Sequence, residues 1–258
     1  MEVPYGMLAS PQRLVVMLAA RGDGLSFSCD IDSSTGGALA LTNSDEPFVP
    51  VGYLAGAYPA KAGPEDSTGF VLASGVDLDT LASGVSNLFL IDDEVLSFTT
   101  VTDNLDGTFS VAGVARGLLD TLPGDHAPGA LVWFFGDGAA YVKAGTYPAD
   151  VTVTAKALPS NSYGTTDPAR VASVSLTTVS RAQLPYPPGD VLVNGVWYPV
   201  SILGDADFTW LDRHRVNQGQ AIVRQDDPSF PGGIEGNYTL MPGTCPWLDS
   251  LKQGQKLG

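Results

Sequence analysis

The sequence predicts a mainly β protein: a sandwich- or barrel-like N-terminal domain with one short helix, followed by a smaller β portion. Three observations lead there. Short apolar and β-branched runs recur between turn residues at a spacing of roughly eight to twelve positions, the rhythm of sandwiches and barrels rather than of βαβ units. Two turn sequences are sharp enough to define hairpins. Helical periodicity surfaces only once.

That single case comes early. Ser10 can cap, Pro11 suits the first helical position, Leu14, Val15, Leu18 and Ala19 share a face, and Gly22 ends the pattern. A short helix over about 11–20 is expected. Strand candidates follow in order: Leu25–Ile31, Val49–Leu54, Gly69–Ala73, Leu88–Ile91, Glu94–Val101, Thr108–Val114, Ala130–Phe135, Val151–Ala157 and Val171–Thr178. The first hairpin pairs Val95–Val101 with Phe109–Val114 across Asp103–Gly107, where Asp, Asn and Gly tolerate positive φ. The second lies in Val191–Val200 and turns on Asn194-Gly195, the strongest short hairpin signal. Residues 183–189 form a Pro-rich linker that cannot continue a ladder, because proline lacks an amide donor. The chain thus divides into an acidic β domain over 1–182 and a β module over 190–250, with 251–258 as a polar, Gly-rich tail.

The 258 residues carry 13 Lys and Arg against 28 Asp and Glu, a net charge of −15. An acidic chain offers no basic face for phosphate neutralisation, so nucleic acid is excluded as a partner. The longest uninterrupted apolar run, Leu14–Ala20, is far short of the roughly 20 residues that span a bilayer, and Glu2 stands where an export signal needs basic residues. No membrane insertion and no secretory signal are expected. Cys29 and Cys245 are too few and too distant for a disulfide scaffold or a zinc site, and read as reduced, buried thiols.

Recognisable catalytic chemistry is sparse. Asp92-Asp93-Glu94 is the densest carboxylate cluster, but adjacent strand residues point to opposite faces, so a solvated turn before the strand is the expected role. The Asp-x-Asp pairs Asp30/Asp32, Asp77/Asp79 and Asp205/Asp207 are weak cation motifs in an acidic chain. Asp103–Gly107 has Leu105 where a calcium loop needs a ligand. His126 and His214 lie near no nucleophile elbow, zincin motif, Walker A or Rossmann fingerprint, and His126 reads as a loop histidine bonded to backbone. No catalytic, cofactor-binding or metal residue is assigned. Trp210 with Arg213 or Arg215 is a candidate interface, with Trp197 beside it; the other reading makes Trp210 an inward strand residue with Asp212 pairing an arginine.

Residues 91–117, IDDEVLSFTTVTDNLDGTFSVAGVARG, followed by Thr121, His126 and Gly129, resemble a recurring segment of large tail-tip proteins. These are the central hub or host-specificity proteins of long-tailed bacteriophages and gene transfer agents. The matching positions are Asp93-Glu94, Asp106-Gly107-Thr108, Arg116-Gly117, Thr121, His126–Gly129 and the apolar strand Leu131–Phe135. Asp120 departs, standing where the family usually has Gly. Glu2–Tyr5 resembles the start of this region, and Pro185–Gly189 with Val193–Gly195, Trp210, Arg213 and Arg215 resembles the entry to a fibronectin type III-like module.

The resemblance implies a structural virion component, not an enzyme. It would belong to a tail tip or baseplate, form a homo-trimer around the tail axis, and link the hub to a fibre or receptor-binding protein during host attachment. Arg116 is expected to reach Asp92, Glu94 or a loop carbonyl. Members are usually longer, so an ancestral chain divided into separate polypeptides is expected, with the C-terminal module completed by a neighbour's strand. The alternatives are a glycan-degrading tail enzyme using paired Asp/Glu, and a carbohydrate-binding adhesin using Trp197, Trp210 and Trp247 as sugar platforms. Residues 61–120 alone carry a net charge of −8, so this face should meet solvent or a basic partner surface.

Overall fold

The computed structural model describes residues 1–4, 14–83, 87–135, 141–144, 149–197, 199, 201–218, 223–228 and 235. The strands are β1 (Leu14–Met17), β2 (Ser28–Ser34), β3 (Ala40–Glu46), β4 (Val51–Leu54), β5 (Glu65–Asp66), β6 (Phe70–Val76), β7 (Leu88–Ile91), β8 (Glu94–Ser97), β9 (Thr100–Asp103), β10 (Phe109–Ala112), β11 (Val114–Ala115), β12 (Leu131–Phe135), β13 (Tyr141–Ala144), β14 (Thr152–Asn161), β15 (Gly164–Thr165), β16 (Val174–Thr177), β17 (Gly189–Val193) and β18 (Phe208–Leu211). One helical turn, α1 (Arg215–Gln218), follows. The protein is mainly β, with curled antiparallel sheets that form half-barrels. No helix among the described residues is long and apolar enough to cross a membrane.

The large sheet has nine strands in the order β5-β11-β8-β7-β12-β4-β6-β10-β9. Its centre is buried on both faces, which is why β7 reads as an unbroken apolar run, LFLI, rather than an alternating one. Phe89 and Ile91 enter the main core with Leu72, Leu96, Val111 and Phe134, while Leu88 enters a second cluster with Val95, Leu118, Leu119 and Phe135. The Phe89 ring lies 5.7, 5.9 and 5.6 Å from those of Phe70, Phe98 and Phe134, so four aromatics tie three strands and the β8–β9 connection together. The smaller sheet is built on the ten-residue β14, which pairs β2 on one side and β15 and β16 on the other, with β3 beyond β2. Along β2 the buried Cys29, Ile31 and Ser33 alternate with half-buried Asp30, Asp32 and Ser34.

The expected helix over 11–20 is corrected by β1. Leu14–Met17 is extended and pairs β13 in register from Leu14↔Ala144 to Met17↔Tyr141. Val15 and Val16 are both buried, as adjacent β-branched residues can be in a covered strand, whereas the amphipathic helix would have exposed one side. Residues 11–13 lie outside the described residues. The first hairpin forms as β9 and β10, in register Asp103↔Phe109, with Leu105 at φ 62° and Gly107 at φ 90°. Both flanking runs break in two, however. Gly113, at φ 64°, passes so near Thr99 that an added Cβ would meet its Oγ1 at 2.4 Å, and the chain kinks there between β10 and β11.

The Asn194-Gly195 turn also forms, with φ of 51° and 74° and both backbone hydrogen bonds between Val193 and Val196 at 3.0 Å. Among the described residues after it only Val196 pairs back across the turn; Pro199 lacks a ladder donor, and β17 pairs β18 instead. β3, whose sequence ALTNSDE alternates poorly, was not expected. The 183–189 segment is packed: Tyr186, 2 % exposed, belongs to the second cluster. Trp247, Cys245 and the 251–258 tail lie outside the described residues.

Phe89→Ala should cost about 3–5 kcal/mol in urea unfolding, the usual range for a large core aromatic. Leu105→Ala, at a position 91 % exposed, should stay within about 0.5 kcal/mol.

Candidate functional site

The segment singled out in the sequence folds back on one carboxylate. The β7–β8 turn, with Asp92 at φ 50°, sets Glu94 as the first residue of β8 on the face that also carries Leu96. Glu94 is 3 % exposed and accepts five hydrogen bonds. Oε1 receives Arg116 Nε at 3.0 Å and the Gly117 amide at 2.9 Å. Oε2 receives an Arg116 terminal nitrogen at 2.6 Å, the Gly124 amide at 2.9 Å and His126 Nε2 at 2.8 Å. The solvated-turn reading of Glu94 is therefore corrected: Asp92 and Asp93 are exposed, but the third carboxylate enters the core because its partners come with it.

Arg116, fully buried, meets Glu94 through two parallel bonds and gives two further donors to the Pro59 and Gly124 carbonyls at 2.5 and 2.7 Å. Its guanidinium lies 4.3 Å above the Tyr58 ring, and the Tyr58 hydroxyl donates to Asp66. His126 is likewise corrected. Its backbone pairs with Tyr58, but its ring bridges two carboxylates, with Nδ1 2.8 Å from Asp92 and Nε2 2.8 Å from Glu94. Both ring nitrogens face acceptors, so the imidazolium is the form that satisfies them. Thr121 closes the loop: its hydroxyl donates to the Leu118 carbonyl at 2.7 Å and accepts from the Val95 amide at 3.1 Å.

The electrostatics follow from these contacts. Burial alone would raise the Glu94 pKa, but the hydrogen bonds from His126 and Arg116 outweigh it and hold the carboxyl below its ordinary value. Burial would lower the His126 pKa, yet the bonds to Glu94 and Asp92 prevail and raise it. A carboxylate held below its ordinary pKa, with both oxygens accepting from protein donors, is the reverse of a general acid, which needs a raised pKa and a proton to give.

The C-terminal segment seals the same place. Gly117 sits at φ 56°, and an added Cβ would meet Gln225 Nε2 at 2.2 Å and Pro123 Cδ at 2.5 Å. Gln225, 2 % exposed, donates to the Gly117 carbonyl at 2.8 Å. Arg213 is buried, its guanidinium 5.1 Å from the Tyr186 ring centre. Arg215 pairs with Glu235 and donates to the Ala182 carbonyl at 2.7 Å. Trp197 donates to the Ala60 carbonyl at 3.4 Å. Of the candidate interface residues only Trp210 is strongly exposed, at 47 %, so the inward-strand reading does not hold for it. Asp106 stays in the hairpin, accepting from the Thr108 amide and hydroxyl at 2.9 and 2.6 Å, beside Gly107. Gly129, at φ 79°, donates to the Leu54 carbonyl at 2.8 Å. Asp120, the departure from the family pattern, accepts two bonds from Arg181 at 2.6 and 2.8 Å.

Tyr58 and Gln225 were not anticipated, since a lone Tyr and a lone Gln far along the chain carry no local pattern. A depression beside the network is walled by Asp92, Asp120, Asp125 and Arg181. Its carboxylates are largely engaged: Asp92 by His126, Asp120 by Arg181, and Asp125 by the Ala60 amide at 2.7 Å. No group of three or more His, Cys, Asp or Glu suited to a metal ion occurs among the described residues. Cys29 is a buried free thiol, its pKa pushed up to about 11 by burial and nearby Glu46 and Asp30, so it is unreactive. Comparison with protein-family models and with curated proteins finds no match to the chain.

Glu94→Gln should destabilise by about 3–5 kcal/mol, because it leaves the buried Arg116 charge uncompensated; chemical unfolding checks this. Arg116→Lys should not rescue, since an ammonium cannot make the paired bonds. The pH profile is set by both groups. Glu94's contribution is present above its ordinary 4.5 and is lost as pH falls through its lowered folded value. His126's contribution is full below its ordinary 6.5 and is lost as pH rises through its raised folded value. Stability should therefore peak between these two ordinary values. His126→Phe should flatten the decline on the alkaline side.

Proposed function

We propose that the chain is a structural component of a phage-type tail tip or baseplate, joining a hub to a fibre or receptor-binding protein during host attachment. It acts as a closed homo-oligomer around the tail axis, a trimer being the symmetry the resemblance implies. One observation supports this most: the residues that carry the resemblance, Glu94, Arg116, Gly117, Thr121 and His126, converge on one buried network whose polar atoms are engaged by protein. A recurring segment built that way defines a fold and performs no chemistry. That suits a part whose work is mechanical and connective.

The glycan-cleaving alternative draws no support from this site. Its best-buried acid, Glu94, has its pKa held down and its lone pairs occupied, opposite to what a glycosidase acid needs.

Particles produced by the strain that encodes the chain test the proposal. Mass spectrometry of purified tails should detect the chain in a small fixed copy number, and gold-labelled antibody should mark the distal tail end. A chain that remains a soluble monomer and is absent from particles would overturn it.

A further inference from the structure

Three large apolar side chains stand nearly bare at one end of the five-stranded sheet: Leu25 is 74 %, Phe27 60 % and Tyr163 95 % exposed. The pair Ser28↔Ser160 and the bond from the Phe27 amide to the Ser160 carbonyl put residue 27 beside the end of β14. Tyr163 lies in the turn that follows, between β14 and β15. Both loops are locked. Asp23 Oδ1 accepts from the amides of Leu25 at 2.9 Å and Ser26 at 2.7 Å, and Asn161 Oδ1 accepts from the Tyr163 amide at 2.9 Å. Single exposed apolar residues are ordinary on a protein surface. Two aromatics and a leucine exposed on adjoining loops have the composition of an interface anchor, and loops whose backbone is already fixed lower the entropic cost of binding.

Charge narrows the occupant. Residues 22–46 and 157–167 contain no Lys or Arg, with Arg21 and Lys156 just outside them, and include Asp23, Asp30, Asp45, Glu46 and Asp167, while Asp32 lies opposite Lys156 further along the strand. Asp30 and Asp45 lie at this same end, where Asp30 accepts from the Asp45 amide at 3.1 Å and the Thr165 hydroxyl at 3.0 Å. Such a rim is repelled by anionic lipid headgroups. A sugar platform needs ring faces flanked by hydrogen-bonding side chains, and Leu25 supplies neither. A protein surface with an apolar socket and a Lys/Arg rim matches both features.

We infer that Leu25, Phe27 and Tyr163 form a docking surface for a neighbouring protein whose apolar socket is rimmed by Lys or Arg. The inference rests on the tail-tip reading and makes that neighbour another tail subunit.

The test places p-benzoylphenylalanine at position 27 or 163 of the full chain and irradiates assembled particles. Cross-links from both positions should reach one other tail protein, within a segment bearing Lys or Arg. The same group at position 105, whose leucine is 91 % exposed on the β9–β10 hairpin, should give none to that protein. A chain present in particles with no protein cross-link from 27 or 163, or with links only to glycan or lipid, overturns the inference alone. A chain absent from particles overturns the tail reading and the inference with it. The double variant Phe27→Ser, Tyr163→Ser should melt like the parent yet enter particles at least about tenfold less, which corresponds to about 1.4 kcal/mol. Undiminished incorporation would overturn the docking role.

Discussion

The buried pair of Glu94 and Arg116 is the constraint around which the large sheet and its loops are arranged. An ion pair with side chains 2 % and 0 % exposed is tolerable only if nearly every remaining donor and acceptor is met. That demand recruits carbonyls from residues 59 and 124, amides from residues 117 and 124, the imidazole of His126 and the face of Tyr58. The recruits come from three stretches, residues 58–59, 117 and 124–126. The pair therefore converts one local charge into the placement of these loops around the start of β8.

The same requirement explains where the fold tolerates no side chain. Gly117 must be glycine twice over: its φ is left-handed, and Gln225 and Pro123 fill the space a Cβ would occupy. Through Gln225 and Arg213 the C-terminal segment rests on the motif itself, and through Tyr186 the Pro-rich stretch is tied into the second core. Tyr186, Arg213 and Gln225 thus attach the described residues after 182 to the earlier part by buried polar and aromatic contacts. The large acidic charge, by contrast, is carried by exposed turns and by the outer face of the small sheet.

Much of this was legible in the sequence, and the exceptions have physical causes. The strand rhythm and both turns could be read because Gly107, Asn194 and Gly195 take left-handed positions that suit them, although Leu105 takes one that nothing in the sequence signals. The resemblance pointed to Glu94, Arg116, Gly117, Thr121 and His126, and the expected reach of Arg116 to Glu94 or a loop carbonyl is what the structure has, but the arrival of the His126 ring on the same carboxylate could not be read, since Glu94 and His126 are joined only by tertiary folding. Charge alone suggested that Asp92-Asp93-Glu94 was all solvated, and burial of the third member depends on partners more than twenty residues away. The Leu14–Ala19 pattern misled because Leu14, Val15, Leu18 and Ala19 fit a helical face, while the extra burial of Val16 and the pairing with Tyr141–Ala144 that mark a strand arise only in the folded chain.

The most direct test of Glu94 as the pin is native-state hydrogen exchange at the Gly117 and Gly124 amides, both of which donate to its carboxylate. If the network holds the fold together, these loop amides exchange only through global unfolding, as slowly as the central strands. Exchange at the rate of the exposed Asp103–Gly107 turn would contradict it.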